Sequence, residues 1–444
     1  MLASLLFLAP LALASPLYKR QSNTYPEPLQ RGPPPRQPWI DTYNAAKAAG
    51  KIPSFAPARL NSDGVPFYSG GVATDDKGVC SWSQAHCFGD NDIYDAPDGM
   101  YAINFDDGPV PASIPLYNFL EKENQTGTHF LIGTNVVDYP DAFKKVLDIG
   151  GHVAVHTWSH PYMTTMDDMQ VLGELGWTAQ AIFDHSNGIV PAFWRPPYGD
   201  ADARVRAIAE EVFGLKLVGW NRECVLTFGP ASPFEPVLTI LFPTSLPPSL
   251  APFLHRLSSN DWCLNDNPGS ACAAYGLSGA SDLEAELRGW QTGAKSPGCI
   301  GLEHETGSLI VNAFISTYPG IKQHGWDARC VPDLFNLDWY QNGKNNDGPF
   351  DTSFVIGSGP DSNSTSSASS ATSSASSSAS TASVSSSGSA RASSSATVSS
   401  AGVAVPSKDA QASTDKDSGA SALSRSSLAG SVAVVGLVAV AALA

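Results

Sequence analysis

Short apolar runs and stretches of helical periodicity alternate through the middle of the chain. Residues 100–105, 127–132, 151–156, 189–194, 215–220 and 298–302 are brief runs of apolar, aromatic and β-branched residues. Each has the composition and length of a buried strand. Between and beyond them, apolar residues recur at helical spacing over 113–123, 140–147, 167–187, 202–213, 283–290 and 306–318. Strands that alternate with helices pair in parallel through crossover connections, so the pattern predicts an open α/β sheet or a (β/α) barrel. The polar residues of most interest fall just beyond strand C-termini. In a barrel that end is the catalytic rim.

The pattern is different at both ends. The first 15 residues, MLASLLFLAPLALAS, read as a secretory signal: the apolar run is too short to span a bilayer and ends on small residues. Lys19-Arg20 follows as a dibasic processing site, and residues 21–60, with PEP, PPPR and SFAP, read as an extended leader without clear periodicity. We group residues 16–97 as a propeptide or N-terminal extension. From 361 to 404 the chain is almost wholly Ser, Ala and Thr, with only Asp361 and Arg391 charged. Such a segment buries too little apolar surface to offset ordering, so 361–420 is expected to be a disordered, O-glycosylated stalk. Small residues at Asp417-Ser418-Gly419-Ala420-Ser421, a polar spacer and an apolar tail over 428–444 then follow in the order of a glycolipid-anchor signal. Attachment is expected at Ser418 or Gly419, with 421–444 removed. A tail-anchored helix fits less well, because Gly430, Ser431 and Gly436 interrupt the run. Signal, stalk and anchor together predict a body held at the extracellular face of the plasma membrane and in the cell wall.

Composition sharpens this division. Of the 444 residues only 15% are charged, against ~25% in an ordinary soluble domain. All 10 Trp, 13 Tyr and 19 Phe lie before residue 360, so the body has ample core-forming residues and the tail dilutes the charge. The net charge, 26 − 42 = −16, argues against a nucleic-acid partner, whose binding surface is basic. Seven cysteines suit an oxidising compartment, with Cys80–Cys87 and Cys263–Cys272 as expected local pairs. Asn124-Gln125-Thr126 and Asn363-Ser364-Thr365 are N-glycosylation acceptors, at Asn124 and Asn363.

His156-Thr-Trp-Ser-His160 follows a strand. One turn of helix would put both imidazoles on one face, near enough to share a metal. Asp106-Asp107 ends a different strand, and two adjacent carboxylates there repel unless something positive sits beside them. A metal held by the two histidines and one of these aspartates leaves the other free as a base. Zinc with His₂Asp ligands and an open water position makes a hydrolytic site. Read alone, Asp-Gly-Pro is also good turn sequence. Arg195-Pro-Pro-Tyr198 presents a guanidinium and a phenol on a rigid loop, or is simply a proline-rich turn with a solvated arginine. His304, beyond the strand at 298–302, is placed to act as an acid, and Asp261-Trp262 offers a carboxylate beside a large apolar surface. Singly, either would serve as an ordinary surface or core residue. No serine lies in a nucleophile-elbow pattern, and no glycine loop could cradle a phosphate.

Together these segments resemble the polysaccharide deacetylases of carbohydrate esterase family four, the NodB-homology domain, and among them the fungal chitin deacetylases. Asn104-Phe-Asp106-Asp107-Gly-Pro109 matches the first family motif and His156 to His160 the second. Arg195-Pro-Pro-Tyr198 matches the third and Leu302-Glu303-His304 the fifth. The resemblance covers about 98–325, taken as the catalytic domain, with 326–360 as a C-terminal extension. It implies a distorted (β/α) barrel and one divalent metal ion, zinc first and cobalt also accepted, on Asp107, His156 and His160. It implies Asp106 as general base oriented by Arg195, and the Tyr198 backbone N–H facing the oxyanion. His304, supported by Asp261, would be the acid, and Trp262 and Leu302 would line the acetyl pocket. The implied reaction converts chitin to chitosan and acetate; the sequence does not fix the oligomeric state, and a monomer is expected. The alternatives are a deacetylase or esterase acting on another wall polysaccharide, or a catalytically impaired chitin-binding wall protein.

The fourth motif departs from the family. After Trp220-Asn221-Arg222 comes Glu223 instead of aspartate, and Asp261-Trp262 arrives only after a proline-rich, aliphatic stretch. Codons GAG TGC for Glu223-Cys224 would contain a splice donor, and AGC for Ser258 an acceptor. Excision would restore Trp-Asn-Arg-Asp-Ser-Asn-Asp-Trp in frame and leave an even number of cysteines. We therefore read 223–258 as a retained intron or gene-model error, with a lid insertion as the rival.

Overall fold

The computed structural model describes residues 24–221, 261–264 and 279–360. The expected signal, stalk, anchor signal, Asn363 and the whole of 223–258 lie outside the described residues. No helix among the described residues is long and apolar enough to cross a membrane.

A short hairpin, β1 (Arg59–Leu60) with β2 (Pro66–Phe67), precedes the main sheets. The run at 100–105 belongs to two strands, β3 (Met100–Ala102) and β4 (Asn104–Gly108). β4, β5 (Thr128–Leu131), β6 (His152–Val155), β7 (Phe193–Trp194) and β8 (Lys216–Leu217) form a five-stranded parallel sheet in chain order. β3 lies between β9 (Cys299–Ile300) and β10 (Asp327–Arg329) in a second parallel sheet. Main-chain bonds then close the ring. Asn221 N donates to Ile300 O at 2.9 Å, Asp106 N to Glu303 O at 2.9 Å, and Glu305 N to Asp106 O at 3.2 Å. The architecture is a distorted (β/α) barrel. The expected run at 189–194 pairs only at its end, since Pro191 has no amide hydrogen to give a neighbouring strand.

Around the ring lie α1 (Gln37–Ala48), α2 (Trp82–Ala85), α3 (Ile114–Glu123), α4 (Gly133–Asp138) and α5 (Pro140–Asp148). They continue with α6 (Asp168–His185), α7 (Ala203–Phe213), α8 (Ala280–Thr292) and α9 (Ser308–Thr317). Asp167 opens α6 with a capping box: its carboxylate accepts from Gln170 N at 2.8 Å, and Gln170 Oε1 accepts from Asp167 N at 3.0 Å. α1 corrects the expectation of an extended leader over 21–60. Trp39, Tyr43 and Ala46 recur at helical spacing and are buried against α6 and α7. The prolines on either side hid that short period. The disulfide Cys80–Cys87 forms as expected, and Cys263 is also disulfide-bonded.

Alternation along the strands sorts the core into two layers. Ala102, Phe130, Ala154, Phe193, Val218 and Ile300 share the inner cluster, while Ile103, Phe105, Leu131, Val153 and Val155 pack with the helices. A period of two therefore puts Asp106 on the face of Asn104, and His156 on that of His152 and Ala154. Both emerge where the strands end.

Behind this rim, Glu305 is fully buried. It accepts from Tyr117 Oη at 2.6 Å and pairs with His129 Nδ1 at 2.8 Å. Gly108 faces it so closely that an added Cβ would lie 1.5 Å from Glu305 Oε1. Because both carboxylate oxygens are held, Glu305 cannot swing away. Gly108→Ala is expected to lower the unfolding free energy by about 1–3 kcal/mol in urea denaturation, as overpacked cores do.

Candidate active site and metal centre

Three donor atoms converge at the rim. Asp107 Oδ1 lies 3.2 Å from His156 Nε2 and 3.2 Å from His160 Nε2, and ligand atoms of the three residues fall within 4.8 Å of one another. The other nitrogen of each ring is engaged. His156 Nδ1 lies 2.7 Å from Arg195 O, and His160 Nδ1 lies 3.2 Å from Tyr198 Oη. The carbonyl fixes a proton on His156 Nδ1 and leaves the Nε2 lone pair facing inward. Asp107 Oδ1 is buried without a hydrogen-bond partner, as a carboxylate oxygen reserved for a cation would be. Burial would raise the Asp107 pKa, but His160 foremost, with His156 and His304, holds it well below the ordinary carboxylate value. The donor set fits a divalent ion. The two histidines do not sit on a helix as their spacing suggested. They flank a loop in which Thr157 (φ 66°) and His160 (φ 58°) are left-handed, which brings both rings inward from an irregular backbone.

Asp106, 2% exposed, is held by Arg195: Nη1 donates to Oδ1 at 2.7 Å. Arg195 is not the solvated arginine of a plain turn. It is fully buried, its Nε and Nη2 donate to Val218 O and Gly219 O at 3.1 and 3.0 Å, and its guanidinium lies 4.2 Å from the Phe130 ring centre. Asp106 Oδ2 is 3.8 Å from His156 Nε2, so one carboxylate joins the donor set and the other stands beside it.

Asp261 reaches the opposite wall. Its Oδ1 is 2.6 Å from His304 Nδ1 and its Oδ2 accepts His304 N at 2.8 Å, which turns His304 Nε2 toward Asp107 Oδ2, 3.9 Å away. Burial opposes charge on this ring, but Asp261 and then Asp107 and Asp106 raise its pKa to about 10. Tyr198 sits at the mouth, half exposed, with φ 59° and its ring stacked 4.1 Å from that of Tyr162. Leu302 is buried in the inner cluster and Trp262 is 40% exposed. Asn124 is exposed at the end of α3. Ser418 and Gly419 lie outside the described residues.

The polysaccharide deacetylase family model matches residues 94–217. Chitin deacetylase 3 of Cryptococcus neoformans var. neoformans is 36% identical over 325 residues, which cover 72% of this chain and 68% of that one. The chain belongs to the polysaccharide deacetylases. A chitin deacetylase of Amylomyces rouxii is 38% identical over 192 residues, 41% of this chain and 44% of that one. The solved chitin deacetylase of Colletotrichum lindemuthianum covers 58% of this chain and 96% of its own, at 16% identity and a TM-score of 0.42. Deacetylases of this family use a divalent metal, for which Asp107, His156 and His160 are the candidate ligands here.

Two parts of this deacetylase site were not singled out from the sequence. Tyr162 stacks on Tyr198, and Glu174 reaches the histidine loop from α6. Glu174 left a usable signal, since it is the one carboxylate in the apolar stretch between Val171 and Phe183. A charge kept at 0% exposure needs several donors, and that requirement points to a polar partner nearby.

Proposed function

We propose that this deacetylase removes N-acetyl groups from chitin, releasing acetate and leaving free amines on the polymer. The observation that carries this reading is the joint placement, at one barrel rim, of an Asp-His-His donor set, a buried Asp–Arg pair and a His–Asp pair. A divalent ion on Asp107, His156 and His160 would supply positive charge to the acyl oxygen and acidify water at the site. Asp106 takes the proton of the attacking water, and Arg195 pairs with that carboxylate and aims it. The Tyr198 N–H is offered to the developing oxyanion. His304, with its Nδ1 held by Asp261, donates from Nε2 to the departing amine. One water is consumed: its oxygen goes to acetate, and a proton goes to the sugar nitrogen.

The test is acetate release from chitin oligomers. We expect release by the secreted protein, its loss on treatment with a chelator, and recovery on adding Zn²⁺ or Co²⁺. Retention of chitin without acetate would instead mark a binding protein of the wall. Asp261→Asn is expected to lower kcat by about 10²-fold, because the amide cannot carry the charge that supports His304 as an acid. Steady-state kinetics on the same oligomers checks it. The order of a Ser/Ala/Thr-rich stretch, small residues and an apolar tail over 361–444 supports glycolipid anchoring at the outer face of the membrane, and release by a phosphatidylinositol-specific phospholipase tests it.

A further inference from the structure

The segment before α1 lies across the loop that joins the two histidines and touches that loop, α4 and α6. The Tyr25 ring stacks on Trp158, with centres 6.0 Å apart and planes 13° apart. Trp158 Nε1 donates to Glu27 O at 3.2 Å. Leu29 N donates to Thr134 Oγ1 at 3.0 Å, and that hydroxyl donates to Trp158 O at 2.8 Å. Gly32 N donates to Glu174 Oε1 at 2.7 Å. Pro33 O then rests on Gly173, where an added Cβ would lie only 1.7 Å from it. Trp177 Nε1 donates to Pro34 O at 2.9 Å, which ties the segment to α6.

Glu174 links this segment to the loop. Its Oε2 accepts Trp158 N at 2.8 Å and Ser159 N at 2.9 Å, and its Oε1 accepts Ser159 Oγ at 2.6 Å beside the Gly32 bond. One buried carboxylate thus gathers four donors, three from the histidine loop and one from the strap. The loop needs such restraint. Thr157 and His160 both hold a left-handed backbone, which a β-branched residue adopts only when its surroundings impose it.

We propose that residues 25–34 are a positioning strap for the metal loop, acting through Glu174 to hold His156 and His160 in ligating geometry. Glu174 is thereby a positioning residue that acts through the loop's backbone. This rests on the metal reading above. Partners beyond the ligands of a metal site typically change its affinity 10- to 100-fold when altered, because they fix the ligands' orientation. On this account cleavage after Lys19-Arg20 leaves the strap intact, whereas loss of residues through Pro34 would remove it.

The test compares Zn²⁺ affinity, by competition with a chromophoric chelator, in the full-length chain and two variants. Glu174→Gln puts an amide N–H against two backbone donors. Gly173→Ala removes no hydrogen-bonding side chain and improves helix propensity, but its methyl occupies the space of Pro33 O and unseats the strap. Both are expected to raise the Zn²⁺ Kd about tenfold or more at temperatures well below their Tm. A strap with a purely structural role would lower Tm and leave Kd unchanged. A Kd within about twofold of the unaltered chain in folded Gly173→Ala would overturn the proposal, even if Glu174→Gln failed to fold. Absence of Zn²⁺ binding by the unaltered chain would overturn the metal reading itself, and the strap proposal with it.

Discussion

Asp106→Asn is expected to lower kcat for acetate release by about 10³-fold while leaving Zn²⁺ affinity nearly unchanged. A positioned general base supplies about 10²–10⁴ of rate, and an amide cannot take the proton from water. The substitution is nearly isosteric, and the Asn carbonyl can still accept from Arg195 Nη1, which lies 2.7 Å from Asp106 Oδ1. The fold should therefore survive, as circular dichroism would verify. Asp107→Asn provides the contrast. Asp107 Oδ1 lies between two imidazole nitrogens, so its loss should weaken Zn²⁺ binding and activity together. If Asp106→Asn retained more than about a tenth of the rate, the division of labour between the two carboxylates would be wrong.

Arg195→Met should reduce both stability and activity. Arg195 is fully buried and pairs with an almost fully buried Asp106, and it also gives two hydrogens to the carbonyls of Val218 and Gly219. Removing one partner of a buried ion pair leaves the other charge uncompensated, typically at about 3–5 kcal/mol. Urea denaturation should show a loss of that order. Acetate release should also fall steeply, because the Asp106 carboxylate loses the cation that pairs with it and aims it. Arg195→Lys should recover only part of either effect, since a lysine cannot reach Asp106, Val218 O and Gly219 O with one ammonium. A stable Arg195→Met protein with ordinary activity would place the guanidinium outside the mechanism.

Much of the site is legible in the sequence. Strand-terminal polar residues are conspicuous because they interrupt apolar runs, so Asp106-Asp107, His156, Arg195 and His304 can each be picked out by position. Geometry removes the turn and solvated-arginine alternatives: Asp107 faces two imidazoles, and Arg195 is completely enclosed. The four-residue spacing of His156 and His160 suggests the right neighbours through the wrong backbone, since left-handed residues in a loop, not a helical turn, bring the rings together. Asp261 is harder to place by sequence, because a long unfamiliar stretch separates it from Trp220. In the fold it nevertheless sits on His304, with two bonds to one carboxylate.

The chain alone determined the alternation of strands and helices, and so the barrel class, because burial periodicity is a local property of neighbouring residues. It also determined which side chains stand at strand ends, and the kind of chemistry they could perform. Tertiary structure alone decided which carboxylate meets the imidazoles, how the ring closes through Glu303 and Ile300, and that residues 25–34 lie on the histidine loop. Those are contacts between segments far apart in sequence. Their formation depends on how strand twist and helix packing bring the segments together, which no local pattern of polar and apolar residues encodes.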